Sequence, residues 1–281
     1  MSVLLSATDV SFAYGAARRG TAARAAVRNA SVEVRRGSVL GILGPNGSGK
    51  TTLLKLMAGV LRPDGGGVQL DGRDLRTYSR AALARRMAIV PQETHPAFDY
   101  TVLEMVLMGR YAHLGAFELE RPDDLRIGRE SLRATGTAGL ESRQFHTLSG
   151  GEKQRVVIAS ALAQATDLLL LDEPSSSLDL RYQLETADLL RRLNGERGAT
   201  LVLSTHDLNF AASICDSLLL IREGQVLVCG APREVLTPDH IRALYGVEAD
   251  VQEHPRANHL TVVPVRASDG GGTGEGGTWA R

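Results

Sequence analysis

Gly44-Pro45-Asn46-Gly47-Ser48-Gly49-Lys50-Thr51 fits the pattern G-x-x-x-x-G-K-S/T and lies between the apolar run Val39-Leu40-Gly41-Ile42-Leu43 and the helix-like Thr52-Leu53-Leu54-Lys55-Leu56-Met57-Ala58. A strand, a glycine-rich loop and a helix N-terminus in that order make a phosphate cradle. Small residues let successive backbone N–H groups turn inward, and the helix end adds partial positive charge. Lys50 then reaches terminal phosphates, and the Thr51 hydroxyl suits magnesium, a hard cation that takes oxygen ligands.

Further candidates for chemistry follow along the chain. Leu168-Leu169-Leu170-Leu171-Asp172-Glu173 is an unbroken apolar run ending in two carboxylates. Such a run reads as a strand buried on both faces of a parallel sheet, and ligands bind beyond the carboxyl ends of such strands. Asp172 is expected to hold magnesium and Glu173 to polarise an attacking water. Thr200-Leu201-Val202-Leu203-Ser204-Thr205-His206 repeats the arrangement, which brings His206 to a strand end near a terminal phosphate. Gln92, after Met87-Ala88-Ile89-Val90-Pro91, is placed to orient water and complete the magnesium shell. A second glycine motif, Leu148-Ser149-Gly150-Gly151-Glu152, opens a helix whose first N–H groups also suit an anion.

These residues need a scaffold, and the spacing predicts one. Short strands are expected at 7–14, 30–34 and 68–72, and a long exposed loop from Gly15 to Arg28 carries Arg18, Arg19, Arg24 and Arg28. That loop reads as solvated, with lipid headgroups or nucleotide phosphate as alternatives. Residues 99–145 turn helical, with Val102, Met105, Val106 and Gly109 at helical spacing. A helix over Glu152 to Ala165 follows, and then strands and helices alternate at 167–172, 183–193, 200–204 and 218–221. The rhythm predicts an α/β chain with a largely parallel sheet, helices on both faces and a helical insertion.

The 281 residues carry no formal net charge and are 43% hydrophobic, as expected of a soluble globular protein and not of a broad nonspecific nucleic-acid binder. The lysines are Lys50, Lys55 and Lys153, so Lys50 stands out in a chain that otherwise uses arginine. Cys215 and Cys229 lack C-x-x-C spacing and read as reduced core residues. No apolar stretch approaches the roughly 20 residues of a membrane helix, and the N-terminus does not read as a signal peptide. A cytosolic location is therefore expected, any membrane role coming through a partner. His254 and His259 are not at a usual ligand spacing and are not read as a metal site.

In order, the Gly44–Thr51 loop, Gln92, Leu148–Glu152, Asp172 with Glu173, Asp179 and His206 resemble the ATP-binding subunit of an ABC transporter. The resemblance implies a P-loop NTPase (RecA-like) core at 1–94 and 165–246, with an N-terminal antiparallel β-subdomain and an inserted α-helical subdomain at 95–164. Together these make an ATPase domain over 1–246. A short extension (247–269) and a glycine-rich, disordered tail (270–281) would follow it. It implies ATP and Mg2+ as cofactors: Gly44, Asn46, Gly47, Ser48, Gly49, Lys50, Thr51 and Thr52 around the phosphates, Thr51, Gln92 and Asp172 on the metal, and Glu173, His206, Gln92 and Lys50 in catalysis. Tyr14 matches the aromatic that stacks on adenine, with Phe12 as the fallback. Ser149, Gly150, Gly151 and Asp179 would meet the ATP of the other subunit in a head-to-tail homodimer.

Tyr100 to Tyr111, His113-Leu114-Gly115, Ser177 to Gln183, Thr205 to Asn209 and Ala211-Ala212 are similar to the importers of iron–siderophore complexes, haem and vitamin B12. In that family the cassette works at the cytoplasmic face of the membrane with a separate permease, whose coupling helix enters a groove beside Gln92 and Glu104, and a substrate-binding protein. Met105 and Met108 suit that groove or a helical core equally. The alternatives are a soluble ABC ATPase such as an iron–sulfur assembly ATPase, or the cassette of another importer or exporter. Neither tandem cassettes nor coiled-coil insertions are present, which disfavours translation and DNA-repair ATPases.

Overall fold

The computed structural model describes residues 2–15, 25–115, 118–176, 178–256 and 259–268. Strand β1 (Val3–Ala13) pairs antiparallel with β2 (Ala25–Arg35). After β3 (Val39–Leu43) and helix α1 (Lys50–Met57), β4 (Gly65–Leu70) returns to the other edge of β1 and β5 (Arg73–Asp74) completes the sheet in the order β2-β1-β4-β5. Helix α2 (Arg80–Ala84) leads into β6 (Met87–Val90). The helical insertion contains α3 (Val102–Leu107), α4 (Pro122–Ala134) and α5 (Gly150–Ala163).

The chain then alternates through β7 (Leu168–Asp172), α6 (Leu180–Arg197), β8 (Thr200–Thr205), α7 (Leu208–Ile214) and β9 (Ser217–Arg222). It ends with β10 (Gln225–Gly230), α8 (Pro232–Val235), α9 (Pro238–Tyr245) and a hairpin of β11 (Val247–Glu253) and β12 (Leu260–Ala267). Among the described residues the central sheet runs β10-β9-β3-β8-β7-β6, parallel except for β10. This is the P-loop NTPase fold with its antiparallel β-subdomain and helical insertion.

Period-2 alternation explains why the central strands are apolar throughout. In β7, Leu169 and Leu171 enter the core under α6 and α7, while Leu168 and Leu170 face the core shared with α1 and the antiparallel sheet. Strand β3 divides likewise, Val39 and Leu43 to one side and Leu40 and Ile42 to the other. Each fully buried leucine contributes on the order of 1.5–3 kcal/mol, so a polar residue at any of these sites would be costly.

In the insertion, Thr101 caps α3 reciprocally with Glu104: Thr101 N–H donates to Glu104 Oε2 at 2.7 Å and Glu104 N–H to Thr101 Oγ1 at 3.3 Å. Glu104 is thus engaged as a cap, and Met105 is buried in the helical core with Met108 packed against it. The helical spacing anticipated at Gly109 stops short, because α3 ends at Leu107 and Gly109 lies in a tighter turn over 108–112. There the backbone presses on α5 so closely that a Cβ on Gly109 would stand 2.1 Å from Ser160 O. Arg110 reaches out of the same turn to a buried ion pair with Asp124 at 2.8 Å and donates to Ala163 O at 2.7 Å. The guanidinium, with the Arg121 amide, holds the Asp124 carboxyl below its ordinary range. Two helices and the turn are thereby pinned at one point.

Some sequence expectations change. Strand β2 begins at Ala25, so Arg28 lies in a strand and not in an exposed loop; Arg18, Arg19 and Arg24 lie outside the described residues, as do Ser177 and the glycine-rich tail over 270–281. Cys215 is buried as expected, but Cys229 is exposed, since it shares the outward face of edge strand β10 with Gln225 and Leu227. Past residue 246, where the sequence predicts no strands, the chain forms the β11–β12 hairpin.

Candidate functional site

Every parallel strand of the central sheet ends on the same side, and β3, β7 and β8 deliver the P-loop, Glu173 and His206 to one cavity of about 890 Å³, with Asp172 behind its wall at Thr51. The P-loop needs its glycines. A Cβ on Gly44 would lie 2.2 Å from Ile221 O and 2.5 Å from Ser48 Oγ, and Gly49, at φ 107°, would meet Ala26 O at 2.4 Å. Gly49 is also the N-cap of α1 and offers no side-chain acceptor, so the first amides of the helix are left for another partner. Ser48 Oγ is buried without a hydrogen-bond partner. Both features fit a phosphate group held at this loop.

Lys50 is buried and donates to Gly44 O at 3.0 Å and Pro45 O at 3.2 Å, while its Nζ stands 3.3 Å from Glu173 Oε1. Glu173 Oε2 lies 3.2 Å from His206 Nδ1, so one carboxylate bridges the lysine of β3–α1 and the histidine of β8. Its backbone sits at φ 48°, in the left-handed region, at a cost of order 1 kcal/mol for a non-glycine residue. Two contacts hold it there, as Glu173 N–H donates to Ser204 O at 3.0 Å and Ser204 Oγ at 3.1 Å. Asp172 Oδ1 accepts from Thr51 Oγ1 at 2.9 Å and from Ser204 Oγ at 2.6 Å.

Ser204 therefore ties the two acids to the neighbouring strand, a role the sequence reading did not assign. The available signal was its position two residues before His206, in register with Asp172 at a strand end. Thr51 and Gln92 both line the cavity and Asp172 lies behind Thr51, and each can offer an oxygen, the donor type that a hard cation such as magnesium takes.

Asn46, Gly47, Gly49, Thr52 and Gln92 also line the cavity. So does Tyr14, which is half exposed, edge-on to Phe12 at 5.0 Å between ring centroids, with its hydroxyl 3.4 Å from Thr52 Oγ1. Phe12 packs instead on the core beneath the antiparallel sheet, so of the two rings Tyr14 is the one that lines the cavity. Arg28 and Glu223 complete the rim.

Ser149, Gly150, Gly151 and Asp179 do not reach this cavity. Ser149 caps α5 with Glu152, its N–H donating to Oε2 at 2.8 Å and its Oγ at 2.9 Å, and these bonds hold the Glu152 carboxyl below its usual range. Asp179 caps α6 by accepting from Tyr182 N–H at 3.0 Å. The Tyr182 ring packs on Gly151 so tightly that a Cβ there would fall 2.4 Å from it. The two caps thus form one surface. A smaller groove of about 200 Å³ beside it is lined by Gly150, Lys153 and Ser176, and also by Gln92, which borders both spaces.

Among the described residues no helix is long and apolar enough to cross a membrane. Residues 27–176 match the family described as ABC transporter. The chain is 42% identical over 232 residues to the cobalamin import ATP-binding protein BtuD of Halobacterium salinarum, covering 83% of this chain but 58% of that longer relative. It is 40% identical over 235 residues to the iron(3+)-hydroxamate import ATP-binding protein FhuC of Bacillus subtilis (84% of this chain, 87% of the relative). To the hemin import ATP-binding protein HmuV of Gloeobacter violaceus it is 43% identical over 251 residues (87% and 90%). In structure it resembles a chain of an inward-facing ABC transporter described as of metal-chelate type, with TM-score 0.81, 30% identity and coverage of 94% and 98%. A dimeric bacterial ABC transporter cassette matches with TM-score 0.71 at 27% identity, over 82% and 99%. With the P-loop, Glu173 and the strand-end histidine converging on one cavity, the chain belongs to the ABC transporter family.

Proposed function

We propose that this chain is the ATP-hydrolysing subunit of an ABC importer, driving uptake of an iron–siderophore complex, haem or cobalamin. It would act as a homodimer on the cytoplasmic face of a membrane, beneath a separate permease that receives cargo from a substrate-binding protein. The observation that carries the ATPase reading is the Lys50–Glu173–His206 chain of contacts beside a glycine cradle in one cavity. The cargo class rests on the names of the relatives at about 40% identity.

In this reading the P-loop amides and Lys50 bind the phosphates, and Tyr14 stacks on adenine. Thr51, Asp172 and Gln92 would hold Mg2+, which neutralises phosphate charge when bound. Glu173 accepts a proton from the water whose oxygen bonds to the γ-phosphorus as the bond to ADP breaks, and His206 steadies the γ-phosphate. Ser149, Gly150, Gly151 and Asp179 serve the second subunit's nucleotide, which explains why they stand apart from their own cavity. Closure that needs the γ-phosphate is then reversed by hydrolysis, a population switch.

The cross-subunit role gives a direct prediction. Ser149→Arg should cut hydrolysis by about 100-fold, as loss of a phosphate donor does, while ATP binding by the monomer stays within about threefold. The lost cap costs about 1 kcal/mol, too little to unfold a domain. Normal hydrolysis by this variant would remove Ser149 from the site. The importer reading is tested by isolating the tagged chain from detergent-solubilised membranes of its host. A many-helix permease is expected with it, and a siderophore, haem or corrinoid binding protein when the complex is intact. Recovery of soluble iron–sulfur assembly proteins alone would overturn transport and leave the ATPase reading standing.

A further inference from the structure

Tyr245, the last residue of α9, donates its hydroxyl to the backbone carbonyl of His206 at 3.1 Å. Its ring packs on the core beside α6 and α7, and neither Tyr245 nor the hairpin lines the nucleotide cavity. In the first turn of α7 Asn209 behaves like a residue of a paired strand. Its Nδ2 donates to Val262 O at 3.1 Å and its Oδ1 accepts from Val262 N–H at 2.8 Å, fastening the turn to β12. Between these anchors Asp207 accepts the amides of Asn209 and Phe210 at 2.9 Å each, and its own N–H donates to Thr205 Oγ1 at 3.1 Å. The histidine segment is therefore gripped from the C-terminal elements on both sides of its bend.

His206 needs such a grip. Its imidazole is half exposed and meets Glu173 through a single 3.2 Å contact, so the aim of the ring is set mainly by its backbone. We propose that Tyr245 is a positioning residue for ATP hydrolysis: its hydroxyl, with the Asn209–Val262 clamp, fixes the His206 main chain so that the imidazole meets Glu173 and the γ-phosphate. This rests on the role given to His206 above. Burial, reinforced by the Asp207 and Glu173 carboxylates, pushes the Tyr245 phenol well above its ordinary value, so the hydroxyl remains a donor at any working pH. The segment after residue 246 then belongs to the hydrolytic apparatus.

Tyr245→Phe keeps the ring and its packing and removes only the donor. In the full-length protein kcat for ATP should fall about 2- to 10-fold with KM changed less than about twofold, the effect of one hydrogen bond felt after binding. The melting temperature should move by no more than about 4 °C. Asn209→Ala should lower kcat in the same direction. In a His206→Ala background, Tyr245→Phe should produce no further loss, because its effect travels through His206. An unchanged kcat in Tyr245→Phe, or an equal loss in both backgrounds, overturns the proposal while leaving the ATPase reading intact. Wild-type turnover in His206→Ala alone would take His206 out of hydrolysis and overturn the proposal with it, again leaving the ATPase reading standing.

Discussion

Glu173→Gln is expected to bind ATP with near-parental affinity and to hydrolyse it about 10²- to 10⁴-fold more slowly, the loss that follows removal of a general base. Glutamine fills the same space and still accepts hydrogen bonds, so the left-handed turn held by Ser204 should survive. What disappears is the capacity to take a proton from water. The neutral amide also frees Lys50 from its 3.3 Å partner, leaving that ammonium wholly for phosphate, so binding should if anything tighten. Equilibrium binding of ATP together with single-turnover hydrolysis checks this. Because closure would require the γ-phosphate, the variant should also accumulate as a dimer in ATP on size-exclusion chromatography. Turnover within threefold of the parent would take Glu173 out of the base role.

Lys50→Ala should lose ATP affinity by about 10- to 100-fold, the equivalent of one charge-assisted hydrogen bond to phosphate, and with it steady-state turnover at ordinary ATP concentrations. A second effect comes from the same contact. Glu173 is nearly enclosed, and deleting the lysine leaves its carboxylate with His206 as its ionisable partner, which should lower the melting temperature. Adding Glu173→Gln to Lys50→Ala removes the stranded charge and should recover part of that stability without restoring turnover. If Lys50→Ala binds ATP as the parent does, the phosphate-cradle assignment fails; if it melts like the parent, the lysine–glutamate contact carries no stability.

Parts of this arrangement were legible for a simple reason: the chemistry is local. Glycine-rich loops, a lysine at a helix start and acids at the end of an apolar run occupy contiguous residues, and hydrophobic periodicity marks the strand and helix on either side. The burial of both faces of β3 and β7 follows from their unbroken apolar composition. By contrast, sequence pattern alone puts Arg28 in a loop and Cys229 in the core, because strand boundaries and edge positions depend on which neighbour supplies the next hydrogen bonds. Val247-Glu248-Ala249-Asp250-Val251 does alternate, yet so short a pattern without a turn signature at 254–259 does not distinguish a hairpin from a polar tail.

By itself the sequence determined which chemical groups exist, their order and the strand-end or helix-start position of each, since those are properties of adjacent residues. Tertiary structure decided what joins them: Ser204 bridging Asp172 and the Glu173 amide, Glu173 shared between Lys50 and His206, and Tyr245 holding the His206 carbonyl from 39 residues away. It also decided that Ser149 and Asp179 stand outside the nucleotide cavity of their own subunit. Those contacts depend on strand order and on where α9 docks, and both are set by the summed packing of the whole core and not by any local pattern.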